Sequence, residues 1–108
     1  LISVINHGNF DKAVWTTWFK AASTIYSDNQ LSALIKKTPI PSDQQVIIKL
    51  IDLAVSGIDS DSELAFTLVY LAKHSLDESS EAALSNAAKN LNSDGERAKV
   101  LLALSEFN

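Results

Sequence analysis

Asp59-Ser60-Asp61-Ser62-Glu63 alternates carboxylates and hydroxyls in the way a calcium-binding loop begins. Oxygen donors at that spacing are what a hard divalent cation needs. A helix–loop–helix calcium site also demands glycine at the sixth loop position and a bidentate glutamate at the twelfth, where this chain has Leu64 and Tyr70. The segment therefore reads as a helix start with acids in its first turn. The histidines are His7 and His74, and neither belongs to a His-x-x-x-His or His-Glu-x-x-His pair. His7 stands beside Gly8 in a loop, and His74 falls in the last turn of a helix, where a cation is favoured. Serine is abundant, but no Gly-x-Ser-x-Gly elbow frames one as a nucleophile. Gly8, Gly57 and Gly95 are too scattered to cradle a phosphate. The chain has no cysteine, which removes disulfides, thiol catalysis and thiolate-bound zinc. These residues point to a protein that is not an enzyme and carries no metal or cofactor.

Composition narrows the partners. With 46% hydrophobic and 20% charged residues, the 108-residue chain resembles an ordinary folded domain rather than a disordered one. Its net charge of −4 weakens a nucleic-acid reading, because phosphate neutralisation needs a dense basic face. Such a face would require Lys12, Lys20, Lys36, Lys37 and Lys49 to converge. No apolar run approaches the roughly 18–20 residues of a membrane span. There is no methionine, so Leu1 is not an initiator, and the sequence is expected to be a processed product or a piece of something longer.

The elements that position these residues repeat. Ser27-Asp28, Ser60-Asp61 and Ser93-Asp94 stand 33 residues apart, and each opens a Ser-x-x-Gln/Glu capping box closed by Gln30, Glu63 or Glu96. In such a box the serine hydroxyl accepts from the third helical N–H, and the Gln or Glu side chain reaches back to the serine N–H. A second series, Asn9, Ser42 and Ser75, keeps the same period and is expected to start the longer helices. Apolar columns align with it: Val14 with Ile47; Trp18, Ile51 and Leu84; Ala21, Ala54 and Ala87; Ile25, Ile58 and Leu91. The alanine column predicts a close helix–helix contact. Gly57 and Asn90 fall at the position where a helix turns into its left-handed C′ residue, and Pro39 and Pro41 end the helix begun at Ser27.

Seven helical segments follow, near 1–6, 10–24, 28–38, 43–57, 61–73, 76–90 and 94–107. Short connections favour antiparallel neighbours. The predicted fold is all-α: one domain over 1–108, a right-handed α-solenoid-like stack of antiparallel hairpins, with units near 1–26 (partial), 27–59, 60–92 and 93–108 (partial). A compact bundle with coincidental caps is the alternative. Both ends look cut: 1–6 reads as the tail of a helix, and 94–107 as a helix without its hairpin partner.

The segment Asn92-Ser93-Asp94-Gly95-Glu96-Arg97-Ala98-Lys99-Val100-Leu101-Leu102-Ala103-Leu104 resembles HEAT-like α-solenoid repeats of bacterial type, which often carry Ser-Asp-x-Glu-(charged)-Ala-x-Val-Leu-x-Ala-Leu at a helix start. The likeness weakens at 60–71 and is poor at 27–38. It implies protein–protein interaction and carries no catalytic residues. The ankyrin and tetratricopeptide signatures are absent.

Candidate contacts lie on the longer helices. Trp15 aligns with Ile48 and Glu81, and Phe19 with Asp52 and Ser85, so both depart from columns that later turn polar. As i, i+4 neighbours they share one stripe, packed on Leu1–Ile5 or exposed as an anchor for a partner. Val46 and Leu53 sit in columns shared with Ala13/Ser79 and Lys20/Asn86, and are expected to face away from the core. Trp15, Phe19, Val46, Lys49 and Leu53 form the predicted surface of a non-catalytic scaffold that binds a protein or peptide. The rival reading is a small acidic inhibitor or immunity-type protein masking a basic partner. It would need a dense acidic patch, whereas most acids here sit at helix starts.

Overall fold

The computed structural model describes residues 12–74 and 76–107. Among them the chain is all-α with six helices: α1 Lys12–Ala22, α2 Asp28–Lys37, α3 Gln44–Gly57, α4 Asp61–Ala72, α5 Glu78–Ala88 and α6 Asp94–Phe107. The seventh expected segment, 1–6, and the cap Asn9 lie outside the described residues. None of the six helices is long and apolar enough to cross a membrane.

The shorter series starts where the sequence places it. Ser27 accepts from Gln30 N–H at 3.3 Å, Ser60 from Glu63 N–H at 3.4 Å and Ser93 from Glu96 N–H at 3.3 Å. The return half of the box is replaced. Ser60 N–H donates to Asp28 Oδ2 at 2.9 Å, and Asp59 N–H to Asp28 Oδ1 at 3.1 Å. One repeat later, Ser93 N–H donates to Asp61 Oδ2 at 2.7 Å, and Asn92 N–H reaches both Asp61 oxygens at 3.0 Å. A full carboxylate charge outcompetes a neutral glutamine or a longer, floppier glutamate for these donors. Asp28 and Asp61 therefore each tie their own helix to the loop 31–32 residues downstream.

The longer series needs correction. The N-caps are Asp43, accepting from Gln45 N–H at 3.0 Å, and Asp77, accepting from Ser80 N–H at 2.9 Å. Ser42 does not cap α3, and Ser75 lies outside the described residues. Aspartate caps as well as serine and adds a negative charge at the positive end of the helix. Here too a bond spans 33 residues: Asp77 N–H donates to Gln44 Oε1 at 2.9 Å.

Helix ends follow local chemistry. Thr38 is extended (φ −90°, ψ 133°), because the ring of Pro39 crowds the α conformation of the residue before it. Gly57 is not a left-handed C′ residue. It is the last residue of α3, followed by extended Ile58, whose N–H still reaches Ala54 O at 2.9 Å. Glycine is required there for another reason: a Cβ on Gly57 would stand 2.6 Å from Leu31 Cδ2. The start of α2 packs against the end of α3 at that point.

α2, α4 and α6 pack side by side in sequence order, as do α3 and α5, and from α2 onward each helix also packs on the next in the chain. The core lies between these two rows. Trp18, Ile51 and Leu84 form one fully buried column, and Ile58 and Leu91 are also buried. The alanine column holds at Ala54 and Ala87, where α3 meets α5, but in α1 the buried alanine is Ala22 and Ala21 is exposed. Each buried Leu or Ile contributes about 1.5–3 kcal/mol relative to exposure. α1 is anchored by aromatics: Trp18 Nε1 donates to Thr38 Oγ1 at 3.2 Å, and Thr38 Oγ1 donates to Leu34 O at 2.6 Å. Between α2 and α4, the buried Ser32 and Thr67 hydroxyls are 2.8 Å apart. Because Thr67 Oγ1 donates to Glu63 O at 2.9 Å, Ser32 is the donor of that pair.

Candidate interaction surfaces

Two concave surfaces lie between helices. The first is between α1 and α3, with a volume of about 640 Å³, and its walls include Trp15, Phe19, Val46 and Lys49. The structure therefore gathers four of the five contact residues read from the sequence into one groove, with Pro41 and Asp43 at one end. Trp15 is only 5% exposed, so it forms a buried base rather than a projecting anchor. Its ring meets Trp18 edge-on at 5.4 Å and Phe19 at 5.7 Å, which fixes the floor. Whether it packs on Leu1–Ile5 concerns residues outside the described ones. Phe19 is half-buried and Lys49 exposed.

Val46 and Leu53 do not face away from the core; both are half-buried and packed against it. Leu53 points elsewhere, to a smaller recess it shares with Ala22, Ile25 and Leu31. The column alignment misplaced it because the loop from α1 to α2 folds over that part of α3.

The second groove, about 580 Å³, runs between α4 and α6 on the outer side of their row. Phe66, Leu102 and Phe107 line it and are 60%, 60% and 52% exposed. Three exposed large apolar side chains in one groove on a small domain mark an interaction site more often than isolated ones do. Charges of both signs stand around it: Lys36 Nζ lies 3.3 Å from the Phe66 ring centre, Lys73 Nζ 6.0 Å from that of Phe107, and Lys73, Lys99, Glu96 and Glu106 line the wall. Lys99 is paired with Glu96 at 2.8 Å. Sequence reading missed this surface. The signal was present, since Phe66 aligns with Ala33 and Lys99, and Leu102 with Val69 and Lys36.

The acids and histidine singled out for chemistry are engaged structurally. Hydrogen bonds from Asn92 and Ser93 N–H hold the Asp61 carboxyl below its usual 3.8, assisted by Arg97. Ser79 and Ser80 do the same for Asp77. His74 Nδ1 lies 3.0 Å from Tyr70 O, and the two rings meet at 5.0 Å. Tyr70 OH donates to Lys36 O at 3.0 Å, and burial raises the phenol pKa. His7 lies outside the described residues. Among the described residues, no three His, Asp or Glu side chains gather closely enough to hold a metal ion. Compared with protein families, curated proteins and solved structures, the chain matches none.

Proposed function

We propose that this chain is a non-catalytic protein-interaction scaffold, a HEAT-like α-solenoid of 33-residue hairpins, that binds an apolar, acidic segment of another protein. The observation that carries the reading is the exposure of Phe66, Leu102 and Phe107 in one groove, with Lys36 over the Phe66 ring and Lys73, Lys99, Glu96 and Glu106 on the walls. In a chain of net charge −4, Lys36, Lys73 and Lys99 set against Glu96 and Glu106 leave this apolar floor with one net cation. Aromatic anchors inserted in such a floor dominate binding energy, and surrounding cations select acidic partners and speed their encounter. The α1–α3 groove of Trp15, Phe19, Val46 and Lys49 is a second contact on the other row.

Regular contacts between successive units support the solenoid: Asp28 to the Ser60 loop, Asp61 to the Ser93 loop, Gln44 to Asp77. The same bonds speak against the acidic-inhibitor reading, because Asp28, Asp43, Asp61 and Asp77 are spent on backbone N–H groups rather than pooled in a patch.

Selection from a displayed random-peptide library against the immobilised protein tests the proposal. Enriched peptides should combine large apolar residues with Asp or Glu, and Phe66→Lys or Leu102→Lys should abolish their binding while thermal unfolding stays unchanged. Enrichment of basic peptides, or binding indifferent to both substitutions, would refute it.

A further inference from the structure

We propose that Lys36 is the residue by which the α4–α6 groove selects an acidic partner, binding a carboxylate that flanks the apolar anchor seated on Phe66. This rests on the reading of the groove as an interaction site and names the side chain that makes it selective.

The three lysines at the groove are not equivalent. Lys99 is paired with Glu96 at 2.8 Å, and that pair offers a partner no net charge. Lys73 is exposed, 6.0 Å from the Phe107 ring centre, and Glu106 shares the groove lining with it. Lys36 differs on both counts. It is half-buried, its Nζ lies 3.3 Å from the Phe66 ring centre, and among the described residues no carboxylate pairs with it. Its main chain is held as well: Tyr70 OH donates to Lys36 O at 3.0 Å, tying the last turn of α2 to α4. A lysine already laid on a ring has lost part of the rotamer freedom that binding would otherwise remove. Its partial burial also strengthens its attraction for a carboxylate relative to a fully solvated lysine.

The ring sets where that carboxylate goes. The face of an aromatic ring is electronegative and holds the ammonium, while its rim is electropositive. A carboxylate at the rim meets the ammonium donors and the ring edge together. Phe66 is still 60% exposed, so the ring remains open to an apolar anchor beside that acid. Acid and anchor therefore share one face of the ligand: two residues apart in an extended segment, or three to four apart in a helix.

Helix stacking does not require this pair. One repeat later the positions of Lys36 and Phe66 are Val69 and Lys99, and α4 packs on α6 with those side chains in place. Lys36 and Phe66 meet between α2 and α4, inside the row of helices rather than at either end of it.

Binding of the library-selected peptides tests the assignment. Each is titrated in two forms, one with its acids and one with those acids replaced by amides, against wild type, Lys36→Met, Lys36→Arg and Lys73→Met. Methionine keeps an unbranched stem over the ring and removes the charge. Wild type should favour the acidic form by about tenfold. Lys36→Met should favour it by no more than about twofold, whereas Lys73→Met should keep about fivefold or more, as expected of an exposed lysine. Lys36→Arg retains a cation on the ring and should retain the preference. A preference that survives Lys36→Met, or one that Lys73→Met removes, would overturn the proposal. If Phe66→Lys abolishes binding while Lys36→Met leaves the ratio unchanged, the groove stands and only the role of Lys36 falls. If binding ignores Phe66→Lys, both fall.

Discussion

Replacing Gly57 by alanine sets two effects of opposite sign against each other. At an unconstrained helix position the change stabilises by about 0.5–1 kcal/mol, since glycine loses more backbone entropy on folding. Gly57 is constrained: the new Cβ would stand 2.6 Å from Leu31 Cδ2, inside any tolerable contact. Leu31 is 1% exposed and cannot swing away into solvent. Forcing an extra methyl into such a site costs about 1–3 kcal/mol, so the net change is a loss of about 0–2.5 kcal/mol. Shortening the obstructing side chain decides whether the reasoning is right. Leu31→Ala alone costs about 2–5 kcal/mol as a cavity. In that background Gly57→Ala meets open space and should stabilise by its ordinary 0.5–1 kcal/mol or about that. The two substitutions should therefore be coupled by about 1–3 kcal/mol, measured as a double-mutant cycle from urea midpoints with unchanged m values. If Gly57→Ala stabilises both backgrounds equally, the close approach of α2 to α3 is not what selects glycine.

Other outcomes follow from the same structure. Thr67→Val leaves the Ser32 hydroxyl buried without its acceptor and should cost about 1–3 kcal/mol, most of it recovered on adding Ser32→Ala; additive losses in the cycle would contradict the donor assignment. Trp18→Phe removes the donor to Thr38 and part of a side chain with no exposed surface, and should lower stability by about 2–4 kcal/mol, read by urea unfolding. Asp61 and Asp77 have carboxyl pKa values held below the usual 3.8 by bonds that exist only when folded, so both add stability above that pH and lose it as pH falls through their folded values. Asp61→Asn should accordingly lower stability at pH 7 and flatten its decline below pH 4 or about that, whereas an unchanged acid profile would show that the carboxylate contributes nothing.

Much of this architecture is legible in the residues, and the parts that are not share a cause. The starts of α2, α4 and α6 follow from Ser-x-x-Gln/Glu at a fixed period. The starts of α3 and α5 are displaced because Ser42-Asp43 and Ser75-Leu76-Asp77 each offer two good caps, and local sequence does not rank them. Gly57 carries the same letter whether it ends a helix in a left-handed turn or yields space to a neighbour. Only Leu31, 26 residues earlier and on another helix, separates the two. Ala21 and Ala22 differ by one helical step, and Trp18 sets which of them turns inward. The gathering of Trp15, Phe19, Val46 and Lys49 follows from column alignment, but the depth of Trp15 does not, since it depends on aromatic packing across α1. The Phe66–Leu102–Phe107 groove lies between α4 and α6, on the other helix series from Trp15 and Phe19. The reasoning applied to Trp15, an apolar residue in a column polar elsewhere, applies equally to Phe66 and Leu102.

The bond between Asp61 and the loop before α6 joins α4 to that loop, and its amides can be watched directly. In two-dimensional NMR across an acid titration, the Asn92 and Ser93 amide resonances should move together with the Asp61 side-chain carboxyl, all with a midpoint below 3.8, and Asp61→Asn should abolish the movement. Amides at 92 and 93 that ignore the titration of Asp61 would mean that the repeats are not tied in this way, and the stacked-hairpin account would fall with them.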